Sequence, residues 1–166
     1  MTELYQRYFL RCPYHRAKAF LARSLEVLAD SGLSEIMQLR VPIRQLGVAG
    51  GLHKDVVVTY NGALDPLHFD QPWRIRWVPR DSGPYPSFDG TLTVRADEDY
   101  NGSILELHGE YEPPLGAAGL LFDAVVGVRI ASATARELLR QIGEQLERQY
   151  ADEESTKQVS HDSTHG

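Results

Sequence analysis

Two periods run along this chain, an alternation of two through its middle and a helical repeat near each end. Leu4 to Arg11 is rich in aromatic and other strand-forming residues and is stopped by Pro13. From Tyr14 the spacing changes, and Ala17, Phe20, Leu21, Leu25 and Leu28 recur at helical intervals until Asp30-Ser31-Gly32 supplies a stop. Five strands are expected next, over 35–43, 52–60, 73–78, 91–95 and 103–111. In the first, Met37, Leu39, Val41 and Ile43 share one face, opposite Gln38 and Arg40. Trp73, Ile75 and Trp77 oppose Arg74 and Arg76; Leu92 and Val94 oppose Thr91, Thr93 and Arg95; Leu105, Leu107, Gly109 and Tyr111 oppose Glu106, His108 and Glu110. Val56, Val57, Val58 and Thr59 offer apolar groups to both faces, which leaves open the direction of Tyr60 and His53.

Turn residues separate these strands: Gly47 with Gly50-Gly51, Gly83-Pro84 and Asn101-Gly102. Short connections without helices imply an antiparallel meander with one buried face. After Pro113-Pro114, the residues Leu121, Val125, Val128, Ser132, Ala135, Leu139, Ile142 and Leu146 recur every three or four positions. They predict one amphipathic helix of about 30 residues and about 45 Å, with Arg136, Glu137, Arg140, Glu144, Glu147 and Arg148 on the opposite side.

The predicted order is therefore β-α-β-β-β-β-β-α. The segment LELHGEYEPPLGAAGLLFDAVVGVRIASATARELLRQIGEQL, residues 105–146, has an L-x-L-x-G-x-Y strand, Pro-Pro, a Gly-rich turn and a long helix with Asp123 and Arg129. With the N-terminal YFLRCPYHRAKAFLA it resembles the START/Bet v 1-like (SRPBCC) superfamily, also called polyketide cyclase/dehydrase and lipid-transport-like. That resemblance covers residue 3 to about 149. It implies an α+β helix-grip fold, a curved antiparallel sheet of about six strands wrapped around the long C-terminal helix, with a cavity between them for an apolar ligand. The residues expected to line it are Met37, Leu39, Val58, Tyr60, Trp73, Ile75, Trp77, Leu92, Val94, Leu107, Tyr111, Phe122 and Val125. Small residues in the middle of the helix (Gly127, Ala131, Ser132, Ala133 and Ala135) either leave space there or allow close contact. Tyr60, Trp73, Trp77 and Tyr111 suit either core packing or an apolar, ring-containing ligand oriented by a hydroxyl.

Composition narrows the partners. The 166 residues carry 17 Lys plus Arg against 23 Asp plus Glu, a net charge of −6, with 42% hydrophobic residues. One domain over 1–150 is expected. The acidic balance argues against a nucleic-acid partner, since phosphate contacts need a basic face. No run approaches the roughly 18 apolar residues of a membrane helix, so no membrane insertion is expected. A lone Cys12 gives no internal disulfide, and the charged start MTELYQRYFLRCPYHR is unlike a secretory leader. Location is accordingly expected to be cytoplasmic, and the assembly a monomer or homodimer. Residues 151–166, ADEESTKQVSHDSTHG, lack Leu, Ile and aromatics and carry a net −3, leaving −3 on the body; a disordered polar tail is expected there.

Catalytic signals are weak. His108 shares the outer parity of Glu106 and Glu110, where those acids can pair with neighbouring Arg residues. His53 enters a strand beside Asp55, and His68 sits in the Pro-bounded PLHFDQP. The body has no C-x-x-C or H-x-x-x-H pair, and His161 and His165 in the tail are ordinary solvated residues, so neither a metal nor another cofactor is expected. There is no G-x-S-x-G, Cys12 has no evident base, and LGVAGGLHK precedes a strand where phosphate-binding loops precede a helix. The reading is non-catalytic binding of a hydrophobic small molecule, lipid-like or aromatic and polyketide-like. Two alternatives stand beside it. One is a polyketide aromatase/cyclase- or dehydratase-like enzyme, which needs a titratable group in the cavity, with His53, Asp55 and Tyr60 as candidates. The other is a protein-interaction module.

Overall fold

A computed structural model describes residues 2–30, 35–42, 51–61, 72–81, 85–113 and 124–162. Eight elements follow in order: β1 (Thr2–Leu10), α1 (Tyr14–Asp30), β2 (Glu35–Pro42), β3 (Gly51–Asn61), β4 (Trp73–Pro79), β5 (Ser87–Ala96), β6 (Ser103–Glu112) and α2 (Ala124–Asp162). The strands form one antiparallel sheet in the order β1-β6-β5-β4-β3-β2. Strands β2 to β6 are a meander, as short turns dictate. The β5–β6 turn is built on Asp97–Gly102: Asp97 N–H donates to Gly102 O (3.1 Å), Tyr100 N–H to Asp97 O (3.0 Å), and Tyr100 takes a left-handed φ of 56°. The turns expected at 47–51 and 83–84 involve residues outside those described, as does Ile43.

The expected strand faces hold. Ile75, Trp77, Leu92, Leu105, Leu107 and Tyr111 are buried, while Arg74, Arg76, His108 and Glu110 are exposed. On β3 the ambiguity resolves inward for Val56, Val58 and Tyr60, with Tyr60 opposite Ile75 and Val58 opposite Trp77. Outer-face pairs cross the strands: Arg74 grips both oxygens of Asp89 at 3.1 and 3.0 Å, and Glu106 accepts from Arg95 at 3.2 Å and from the Tyr5 hydroxyl at 2.8 Å. In α1 the predicted stripe Ala17, Phe20, Leu21 and Leu25 is buried and Leu28 half-buried. Pro13 O accepts from the amides of Arg16 (3.0 Å) and Ala17 (2.9 Å), closing the first turn.

Three expectations are corrected. Strand β5 begins at Ser87 rather than Thr91, because Gly90 interrupts the apolar alternation without interrupting the ladder; Phe88 and Leu92 flank it on the inner face. In α2 the expected Ala135, Leu139, Ile142 and Leu146 are buried, but Val128 is 38% exposed and Ser132 half-buried, and the stripe is completed instead by Ile130, Ala131, Thr134 and Leu138. Residues 151–162, expected to belong to a disordered tail, continue α2, which is helical through Asp162; 163–166 lie outside the described residues. Low apolar content keeps that segment out of the core but does not prevent a helix. Lys157 pairs with Glu154 at 3.0 Å, and Glu153 pairs with Arg16 and Arg23 of α1.

The 39-residue helix α2 lies between the two edges of the sheet, packing on β1 and on β2. At β2, Gln141 Nε2 donates to the backbone oxygen of Gln38 at 3.0 Å; at the end of β1, Glu147 accepts from the Arg11 amide at 2.8 Å. Gly143 permits this approach, because a Cβ there would overlap the Tyr8 ring. A second close approach lies within the sheet, where Gly90 faces Gly109 across β5–β6. A Cβ on either would run into backbone of the other strand and into the Phe88 ring. Backbone cannot step aside as a side chain can. Gly109→Ala is therefore expected to cost about 2 kcal/mol, read as a lower urea midpoint with unchanged slope.

Candidate functional site

A cavity of about 610 Å³ opens where α1, α2 and the β2–β3 end of the sheet meet. Its inner wall is apolar. Leu21, Leu25 and Leu28 come from consecutive turns of α1, Met37 from β2, and Ile142 and Leu146 from α2. Each belongs to the buried periodicity of its element, so the cavity is a gap in the core's own stripe. Tyr60 of β3 stands at the wall with its hydroxyl 4.0 Å from the Met37 thioether. Ser24, Gln141, Glu144, Gln145 and Arg148 bring polar groups to the lining, with exposed Val27 among them. Glu144 is held by Arg140 at 2.6 Å, and the same guanidinium meets Glu137 at 2.7 and 2.9 Å. Hydrogen bonds donated to those two carboxylates, Glu137 first, push the Arg140 pKa above its ordinary value.

The sequence-predicted lining divides. Met37 and Tyr60 line this cavity. Leu39, Val58, Ile75, Trp77, Leu92, Leu107 and Tyr111 lie buried in the core beneath α2, and Trp73 and Val94 pack half-buried against it. Phe122 lies outside the described residues, and Val125 belongs to α2 without its side chain being described. Trp77 is fixed by the core itself: it stacks on Phe88 with centroids 4.2 Å apart and 14° between planes, and its indole N–H donates to Pro86 O at 3.2 Å. The α1 and α2 residues of the cavity were visible as helix stripes. What could have marked them as a site is Ser24, a polar residue set among Leu21, Leu25 and Leu28.

Beneath the middle of α2 lies a buried polar pair that the alternation did not reveal. The Tyr85 and Thr134 hydroxyls hydrogen-bond to each other, and Thr134 Oγ1 donates to Ile130 O at 2.8 Å. Burial pushes the Tyr85 phenol up to about 12 against an ordinary 10.0, and burial likewise pushes the Cys12 thiol up to about 11 from 9.0. A thiol so held is a poor nucleophile at neutral pH. Of the acid–base candidates, Asp55 pairs with Arg80 at 3.7 Å, away from the cavity. His53 stands opposite Arg40 in the strand register with its side chain outside the described residues, as is all of His68. His108 sits on the outer face, 2.7 Å from Glu3. Among the described residues no group of three or more His, Cys, Asp or Glu is placed to hold a metal, and no helix is long and apolar enough to cross a membrane.

A six-stranded antiparallel sheet in this order, curved about a long C-terminal helix, is the helix-grip architecture. This chain has that fold. No family model and no curated protein matches the sequence. Similar solved structures include TTHA0849 from Thermus thermophilus, at 19% identity and TM-score 0.45, covering 87% of this chain and 97% of that one. The Zhui aromatase/cyclase from Streptomyces sp. R1128 shares 12% identity at TM-score 0.44, covering 89% and 94%. Ara h 8.0201 shares 11% at TM-score 0.44, covering 91% and 98%. Similarity at this level transfers no residue role and no activity.

Tyr85 carries a pH signature. Its phenol stays neutral in the folded chain to about pH 12 but ionises near 10 once unfolded. The raised folded pKa contributes stability that is complete below pH 10 and is lost as pH rises towards 12, on the order of 2 kcal/mol. Tyr85→Phe is expected to flatten the fall in urea midpoint over that window, leaving an earlier contribution from Cys12 between pH 9 and 11.

Proposed function

We propose that this protein binds one hydrophobic small molecule in the cavity between α1, the distal half of α2 and the β2–β3 edge. The observation that carries this is an apolar wall of Leu21, Leu25, Leu28, Met37, Ile142 and Leu146 around about 610 Å³ of space, with polar side chains completing the lining. Packed cores tolerate few voids larger than water, and ligand sites run from roughly 300 to 1,000 Å³ with apolar walls and a few orienting polar groups. A guest burying about 200 Å² of apolar surface gains roughly 5 kcal/mol before the costs of association. Tyr60 supplies a hydroxyl for orientation. Affinity would come mostly from the hydrocarbon wall, so the ligand class is lipid-like or aromatic.

The alternative, acid–base cyclase or dehydratase chemistry, draws on one candidate at this cavity, Tyr60. Among the described residues the other titratable groups of the lining are Glu144, held by Arg140, and Arg148, an arrangement that suits binding better than proton transfer. A neutral apolar dye tests the proposal. N-phenylnaphthylamine should brighten on mixing with the protein and be displaced by decanol. Ser24→Trp, which fills the cavity from a half-buried helix position without removing core, should weaken dye binding at least about tenfold and leave thermal unfolding nearly unchanged. Folded protein that leaves the dye dark removes the reading.

A further inference from the structure

One charged side chain in the polar part of the cavity lining makes no ion pair among the described residues, and it bears on the head group of the ligand. Two charged residues contribute to it, Glu144 and Arg148, one helical turn apart on α2. They could neutralise each other as an i,i+4 pair, but Glu144 is taken by Arg140 at 2.6 Å, on the turn before it. Arg140 is also shared with Glu137 at 2.7 Å, which anchors its guanidinium away from Arg148. Of the other acids close to this end of α2, Glu153 pairs with Arg16 and Arg23 and Glu147 accepts from the Arg11 amide, while Asp152, one turn beyond Arg148, forms no ion pair with it. Among the described residues no carboxylate pairs with Arg148, which is exposed and lines the cavity. The chain carries net negative charge, so an unclaimed guanidinium beside an apolar cavity is not part of a general basic surface.

We infer that the ligand is a single-chain anionic amphiphile, its hydrocarbon body against Leu21, Leu25, Leu28, Met37, Ile142 and Leu146 and its carboxylate or similar anion on Arg148. This rests on the binding reading above and adds the head group to it. A guanidinium offers paired N–H donors that match a carboxylate in geometry as well as charge. Gln145 and Ser24 add neutral hydrogen-bonding groups to the same lining. The volume suits one chain rather than the two of a diacyl lipid.

Three probes with the same tail separate the head group from the cavity: decanoate, decanol and decyltrimethylammonium, each titrated against the full chain by calorimetry or dye displacement. Decanoate is expected to bind about three- to tenfold more tightly than decanol at low salt, with the cationic probe weakest and the advantage shrinking as salt is added. Arg148→Gln should bring decanoate to the affinity of decanol while leaving decanol unchanged, and because Arg148 is exposed the variant should unfold at the same temperature. Equal affinities for decanoate and decanol in the native protein overturn the inference, as does a decanoate preference that survives Arg148→Gln. Decanol that binds with no advantage for decanoate leaves the cavity reading intact, whereas failure of all three probes removes the cavity reading itself.

Discussion

The fold depends on how a curved sheet with two open edges is closed by one helix. Strands β1 and β2 are the first two strands of the chain yet stand at opposite margins of the sheet. An exposed edge presents unpaired backbone groups and a route to association. Here α2 packs on both margins, giving a side-chain donor to the Gln38 carbonyl on one and an acceptor to the Arg11 amide beyond the other. The helix can sit so close to β1 because Gly143 has no side chain to meet Tyr8. Once the gap is spanned, the inner faces of all six strands become interior, and the alternation seen in β4 and β6 acquires its physical cause.

The cavity follows from where α1 is placed within that closure. Helix α1 lies against the distal half of α2, and the two diverge from the sheet around Met37 and Tyr60. Its position is held mainly by burial of Phe20, Leu21 and Leu25. Phe20 also lies under two guanidiniums, Arg16 at 5.3 Å and Arg23 at 5.1 Å from the ring centre, and both reach Glu153. Such partly exposed ion pairs add little stability singly, but they link α1 to the far end of α2. This gives the continuation of α2 past Tyr150 a structural purpose. The polar segment contributes nothing to the core, yet it carries the carboxylate that meets Arg16 and Arg23 of α1.

Legibility in the sequence tracked how local the determinant was. Alternation in Trp73–Val78 and Ser103–Tyr111 and the four-residue stripe of α1 depend on neighbours along the chain, and they identified faces correctly. The start of β5 did not, because Gly90 is in the strand for a cross-strand reason, its pairing with Gly109 under Phe88. The stripe of α2 was misphased at Val128 because Ala131, Thr134 and Gly143 are buried by closeness to β-strands and to Tyr85, a property their own hydropathy does not encode. The helical continuation over 151–162 is hidden for the opposite reason: the segment has little apolar content, and the guanidiniums that meet its Glu153 lie more than a hundred residues away on α1.

Site prediction separated on a subtler physical point. Large aromatic residues on an inner face satisfy equally the requirements of a packed core and of a ligand cage, since both reward buried area. Trp77 chose the core, its face taken by Phe88 and its N–H by Pro86 O. A cavity instead needs a place where good packing residues fail to meet, and that failure is geometric, arising between elements rather than within one. What a sequence can offer is the polar exception on an apolar stripe. Ser24 breaks the leucine face of α1, and Arg148 stands without a carboxylate partner among the described residues, one turn beyond a Glu144 that is held by Arg140. Residues that break their own element's pattern, rather than those that best fulfil it, are the ones that bring polar groups to the cavity lining here.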